Sequence, residues 1–73
     1  MDEIRISHES MPDIIREWRT KAGLTQMQAS DKLFMSAPRL NQYENGRSPL
    51  RIEEFVRIAG IYGYDVQIVA VKK

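Results

Sequence analysis

Residues 23–47, GLTQMQASDKLFMSAPRLNQYENGR, decide how this chain reads. They predict two short helices joined by a tight turn. Thr25 is a natural N-cap, because its side-chain oxygen can accept from the free backbone N–H groups of the first turn. Gly23, just ahead, can take the left-handed conformation that ends a preceding helix. Within the first of the two helices, Ala29 and Leu33 lie four apart, as do Ser30 and Phe34, which predicts a narrow inward stripe. Ser36 caps the second helix, and Pro38 falls in its first turn, where a missing N–H costs nothing. That helix is expected to run to about Asn45, with Gly46 as the left-handed stop.

On a helical wheel of about 3.6 residues per turn, Ala37, Leu40, Tyr43 and Glu44 share one side of the second helix. Pro38, Gln42 and Asn45 point the other way, flanked by Arg39 and Asn41. An Arg, a Gln and two Asn on one outward face have the geometry to read guanine and adenine edges. Any surface helix has a solvated polar face. This one, however, is rich in amides and poor in carboxylates, unlike a surface laced with salt bridges.

Three pieces of the stretch together carry a resemblance: Gly23-Leu24-Thr25-Gln26, the step Met35-Ser36, and Tyr43-Glu44-Asn45-Gly46-Arg47. At this spacing they resemble the Xre/Cro-type helix-turn-helix family of phage and bacterial repressors. The similarity runs without gaps from Trp18 to Arg47 and more loosely to about Tyr62. Phe34 stands where that family prefers a small residue, usually Gly. Ala29 stands where a larger aliphatic is usual, and Ala37-Pro38 is an unusual opening for a recognition helix. The resemblance implies a mainly α, four-helix repressor-like domain that binds double-stranded DNA in the major groove. Carried over residue by residue, it implies phosphate contacts from Gln26, Ser36, Asn45 and Arg47, and base reading by Arg39 and Gln42 with Asn41 beside them. It also implies an ion pair between Arg19 and Glu44 that orients the reading helix.

Length and composition bound the rest. A chain of 73 residues makes one domain, near the size at which a single core is marginal. With no Cys, neither a disulfide framework nor a thiolate metal site is expected, and a reducing cytoplasm is the simplest home. No apolar run approaches a membrane span and no secretory signal is visible. The net charge of +1 says little, but its distribution says more. Residues 1–17 hold Asp2, Glu3, Glu9, Asp13 and Glu17 against Arg5 and Arg16. Residues 18–57 hold Arg19, Lys21, Lys32, Arg39, Arg47, Arg51 and Arg57 against Asp31, Glu44, Glu53 and Glu54. The basic excess coincides with the proposed reading unit.

In chain order, residues 2–7 alternate weakly and are either a tail or a short strand. His8 has no second His and no Cys, so no metal site is expected there. Ser10 and Pro12-Asp13 mark the start of a first helix that runs to about Ala22. Ile14, Trp18 and Ala22 are expected inward, with Ile15 beside them. Trp18 next to the small Ala29 suggests a large-for-small exchange between two helices. Ser48-Pro49 is expected to open the last helix, whose spacing runs through Ile52, Phe55, Val56, Ala59 and Tyr62 to Gly63. Gly60 inside it suggests a neighbour's close approach. Arg47 and Arg51 are placed where a flanking loop could grip phosphate.

From Tyr64 to Val71 the period changes to two: Tyr64, Val66, Ile68 and Ala70 share one face, and Asp65, Gln67, Val69 and Val71 the other. β-Branched enrichment predicts a strand over 64–71 after a helical part over 12–62. Such a strand needs a partner: residues 3–6, a second copy, or another protein. Some relatives, antitoxin-type repressors among them, end in such a strand and dimerise through it. The expected function is therefore a homodimeric repressor on an inverted-repeat operator. The alternative is an antitoxin that binds a toxin protein and autoregulates its operon. An enzyme is not expected, because clustered carboxylates, a phosphate-binding Gly loop and Cys are missing from the sequence. No cofactor is expected either.

Overall fold

The computed structural model describes residues 6–67 together with Ala70 and Lys72. Four helices follow one another: α1 (Met11–Lys21), α2 (Gln26–Leu33), α3 (Ala37–Glu44) and α4 (Ile52–Ile61). α3 packs against both α1 and α2, while α4 closes the far side against the same two helices. One core of Met11, Ile15, Trp18, Ala29, Leu33, Leu40, Tyr43, Leu50, Phe55, Ile58 and Ala59 lies between them.

Local chemistry explains where the helices begin. The Thr25 hydroxyl accepts from the Gln28 N–H at 3.1 Å, and the Gln28 side chain accepts from the Thr25 N–H at 2.9 Å, a reciprocal cap. Ser36 accepts from the Arg39 N–H at 3.2 Å, as expected of the cap of α3. Pro12 and Pro38 sit in first turns, where a missing N–H is harmless. α4 starts later than the sequence suggests. Arg51 is its N-cap, and Ser48-Pro49 belongs to the loop before it, where Leu50 is buried.

All four helices end alike. After each, a left-handed residue and its successor donate to the carbonyls of the last turn, as Gly46 does to Tyr43 at 3.2 Å and Arg47 to Gln42 at 2.9 Å. Three of these residues are Gly23, Gly46 and Gly63, and the fourth is Phe34, at φ 56°. Phe34 is therefore not part of the inward stripe of α2. It is 92 % exposed, because the left-handed turn swings its side chain out after Leu33.

Two helix phases also differ from expectation. α1 turns Met11, Ile15 and Trp18 inward, while Ile14 is half-buried and Ala22, already past the helix, is exposed. α4 buries Phe55, Ile58 and Ala59 and leaves Ile52 and Val56 partly exposed. Among the described residues nothing lies within 4 Å of a methyl group added at the exposed Gly60, so no close neighbour there explains it.

There is no strand among the described residues. The expected strand over 64–71 falls partly outside them, as does most of residues 2–7, of which Ile6 packs on the core. Where the tail is described, its alternation is realised against the domain itself. Tyr64 stacks on Trp18 and Val66 packs on the core, while Asp65 and Gln67 face solvent.

Candidate nucleic-acid interface

The site begins with a buried carboxylate. Glu44 closes the inward side of α3 and is only 2 % exposed. A buried unpaired carboxylate is costly, and this one is paired. Arg19 of α1 donates from Nε to Oε2 at 2.8 Å and from Nη2 to Oε1 at 3.0 Å, a two-point contact of the kind guanidinium geometry favours. The third Arg19 nitrogen donates to the Leu24 carbonyl at 2.9 Å, which ties in the loop before α2. The hydrogen bond to the Glu44 carboxylate holds the Arg19 guanidinium above its ordinary pKa. The pair links α1 to the last turn of α3.

From Glu44 a chain of amides leads outward. The Gln26 side chain, at the N-terminus of α2, donates to Glu44 Oε1 at 3.2 Å. Gln26 Oε1 accepts from Asn41 at 3.2 Å, and Asn41 Oδ1 accepts from Asn45 at 3.0 Å. A carboxylate only accepts, so the sense of each bond follows from the one before it. Three of the expected site residues, Gln26, Asn41 and Asn45, are thereby joined across α2 and α3. Asn41 is half-buried between the other two, whereas Asn45 is exposed.

The remaining expected residues lie on the open side of α3. Arg39 and Gln42 are exposed, as are Asn45 and Arg47 beyond them. Ser36, also exposed, uses its hydroxyl to cap α3 and stands at the helix N-terminus, where backbone N–H groups favour an anion. Gln42 Oε1 accepts from the Ser48 hydroxyl at 3.1 Å, which leaves the Gln42 amide nitrogen as a donor outward. Arg39 donates from Nε and Nη2 to the Tyr43 hydroxyl at 3.1 and 2.9 Å. Ser36, Pro38, Arg39, Gln42, Tyr43, Ser48 and Pro49 line an open hollow of about 420 Å³ between α3 and the loop after it. Arg51, the N-cap of α4, is exposed as well.

Two partners in this site are missing from the sequence reading. Tyr43 is expected only as a core residue, although its spacing of four from Arg39 on one helix is a signal for contact. Ser48 is expected as a helix opener, and no sequence signal pairs it with Gln42. Ala37 is half-buried and Pro38 carries no hydrogen-bonding side chain, so polar chemistry on this face starts at Arg39.

Among the described residues, no helix is long and apolar enough to cross a membrane. A family model described as helix-turn-helix matches residues 15–69. A protein of Cereibacter sphaeroides, a propionyl-CoA carboxylase regulator, is 40 % identical over 52 residues. That match covers 71 % of this chain and 11 % of the length of the regulator.

Proposed function

The chain belongs to the helix-turn-helix family, and from that premise we propose that it is a sequence-specific transcriptional regulator of double-stranded DNA, acting as a homodimeric repressor on an inverted-repeat operator. The observation that carries this reading is the two-sidedness of α3. Its inner side is fixed by Leu40, Tyr43 and the Arg19–Glu44 pair, and its outer side offers Arg39, Gln42 and Asn45. A helix rigid on one side and polar on the other is what major-groove reading requires. That the Cereibacter relative is named a regulator supports the same class of function.

In this reading Gln26, Ser36, Asn45 and Arg47 contact phosphates and set the register of α3 on the duplex. Arg39 and Gln42 read bases, and Asn41 adds the amide hydrogen its neighbours leave over. The protein works in the cytoplasm, on bacterial or phage DNA. Two copies pair their 64–71 segments antiparallel about a two-fold axis. The alternation of that segment supports this pairing. The axis sets the two α3 helices about 34–36 Å apart, one turn of DNA.

Site selection from random duplexes, followed by titration, tests the assignment. The Arg39→Ala variant should lose about 1–3 kcal/mol on the best site and relax preference at one base pair. The Arg47→Ala variant should weaken all sequences alike and reduce the salt slope by about one. An Arg39→Ala variant with full discrimination would remove Arg39 from the reading set. Sedimentation of the chain alone tests the homodimer, and a toxin protein bound stoichiometrically to the chain would instead favour the antitoxin alternative, which shares the DNA face.

A further inference from the structure

We propose that Tyr43 is a specificity-determining positioning residue, whose hydroxyl grips the Arg39 guanidinium by one edge and so presents the other edge to a guanine. The inference rests on the DNA-binding reading above and names the base that the reading leaves open.

The Tyr43 ring is only 6 % exposed and belongs to the core, so its hydroxyl is a fixed point at the surface rather than a mobile one. Arg39, four residues earlier on α3, brings two nitrogens to that one oxygen, Nε at 3.1 Å and Nη2 at 2.9 Å. A guanidinium is planar and has two forked edges, Nε with Nη2 along its side and Nη1 with Nη2 at its end. The hydroxyl occupies the side edge. Among the described residues Nη1 has no acceptor, and Nη2 keeps its second hydrogen, so the end edge remains whole. An end-on fork matches the two acceptors, O6 and N7, that guanine shows in the major groove. Adenine offers N7 beside a donor and would meet the fork with one bond and one clash of donors.

Neighbouring residues raise the weight on this one side chain. Neither Ala37 nor Pro38, in the first turn of α3, can bond a base edge. Arg39 is the first residue of the helix that can, and without a tether a side chain of its length would sample many rotamers. The hydroxyl removes much of that freedom before DNA arrives, which favours one base and one geometry. A contact that merely stabilised α3 would act on folding and leave base preference alone, so the two roles can be separated.

The test uses the full chain in four forms: wild type, Tyr43→Phe, Arg39→Ala and Arg39→Lys. Each is taken through site selection on random duplexes. It is then titrated on the best duplex and on that duplex with the pair read by Arg39 changed from G·C to A·T. Tyr43→Phe keeps the buried ring, and thermal melting checks the fold. Wild type should prefer guanine at that position by roughly tenfold or more, the range of a good bidentate contact. Tyr43→Phe should melt near wild type and keep its salt slope, yet lose most of that preference. Arg39→Lys should keep the charge and lose the preference too, since an ammonium has no fork. Three results would overturn the inference: undiminished guanine preference in Tyr43→Phe, an equal loss of affinity on every duplex, or a base other than guanine opposite Arg39. A wild-type chain that bound no duplex would instead overturn the DNA reading itself, and this inference with it.

Discussion

Tyr64 lies nearly flat on Trp18, with ring centroids 4.2 Å apart and planes inclined by 15°. Trp18 also meets Phe55 of α4 at 5.5 Å. The aromatic neighbours of this tryptophan therefore come from α4 and from the segment after it, and the small Ala29 of α2 is buried in the same core. Tyr64 is held there by the end of its helix, because its N–H donates to the Ala59 carbonyl at 2.8 Å. The start of the tail is thus part of the fold of one protomer, whatever the rest of it pairs with. Tyr64→Ala should cost about 1–2 kcal/mol and shift the emission of the sole tryptophan. Denaturant unfolding at low protein concentration measures the first, and fluorescence of the native state the second. Unchanged stability with an unchanged spectrum would mean the rings do not stack in solution.

The Arg19–Glu44 pair should show the asymmetry of buried charges. Removing only Arg19, as in Arg19→Ala, leaves Glu44 uncompensated and should cost about 3–5 kcal/mol. Replacing both, as in Arg19→Met with Glu44→Leu, should recover much of that loss, since apolar packing can replace a buried pair. DNA affinity should not recover with it, because Gln26 loses the acceptor that orients it. A double variant that bound DNA like wild type would leave the pair with a purely structural role.

One glycine is missing and one is spare. Phe34 holds the left-handed conformation, which costs an L-residue roughly 1–2 kcal/mol. Its ring is almost wholly exposed and recovers little of that. Phe34→Gly should stabilise by about 1 kcal/mol, the strain relieved exceeding the added freedom of the unfolded chain. At Gly60 an added methyl meets nothing within 4 Å among the described residues, so Gly60→Ala should stabilise by about 0.5–1 kcal/mol. Calorimetry of the two single variants and their combination checks both signs. A lower melting temperature for Phe34→Gly would show that the ring contributes packing in solution.

Acid should weaken the contact between α4 and α2. Arg57 donates to the Leu33 carbonyl at the end of α2 and is paired with Glu54. Hydrogen bonds from Arg57 are the main cause that holds the Glu54 carboxyl below its ordinary value of 4.5. With a depressed folded pKa, the unfolded chain takes up the proton first. The contribution is present above the ordinary value and is lost as pH falls through the lower, folded one. Both side chains are partly exposed, so roughly 0.2–1 kcal/mol is at stake. Stability followed from neutral pH into acid should fall less steeply in Glu54→Gln than in wild type. Parallel curves would show that Glu54 titrates alike folded and unfolded.

Helix ends are readable from residues 23–47 because caps and left-handed stops are local chemistry. Thr25, Ser36, Gly23 and Gly46 act in the structure as their types and spacing imply. Helix phase is harder to read. Periodicity marks a stripe but not which edge of it is deepest, and tertiary packing chooses Met11 and Ile15 over Ile14, and Ile58 over Val56. Phe34 shows two local rules in competition, its place four residues after Ser30 and its place in the turn, and the turn prevails. At the interface, residue types on α3 are legible from the helical wheel. The bond from Asn41 to Gln26 is not, because 15 positions separate them and only the packing of α2 on α3 makes them neighbours.

The amides between Glu44 and Asn45 cannot turn over one at a time. If the Asn41 side chain flipped by itself, it would set oxygen against the Gln26 oxygen and nitrogen against the Asn45 nitrogen, breaking two bonds at once. Flipping the whole string would bring the Gln26 oxygen to a carboxylate, which repels it. The three side chains share one setting, written by a charge in the core. A substitution at Gln26 therefore reaches Asn45 without touching it, by releasing the orientation of everything in between. If α3 reads DNA as proposed, changes of base preference would also arise from Gln26, a residue on α2 outside the reading set.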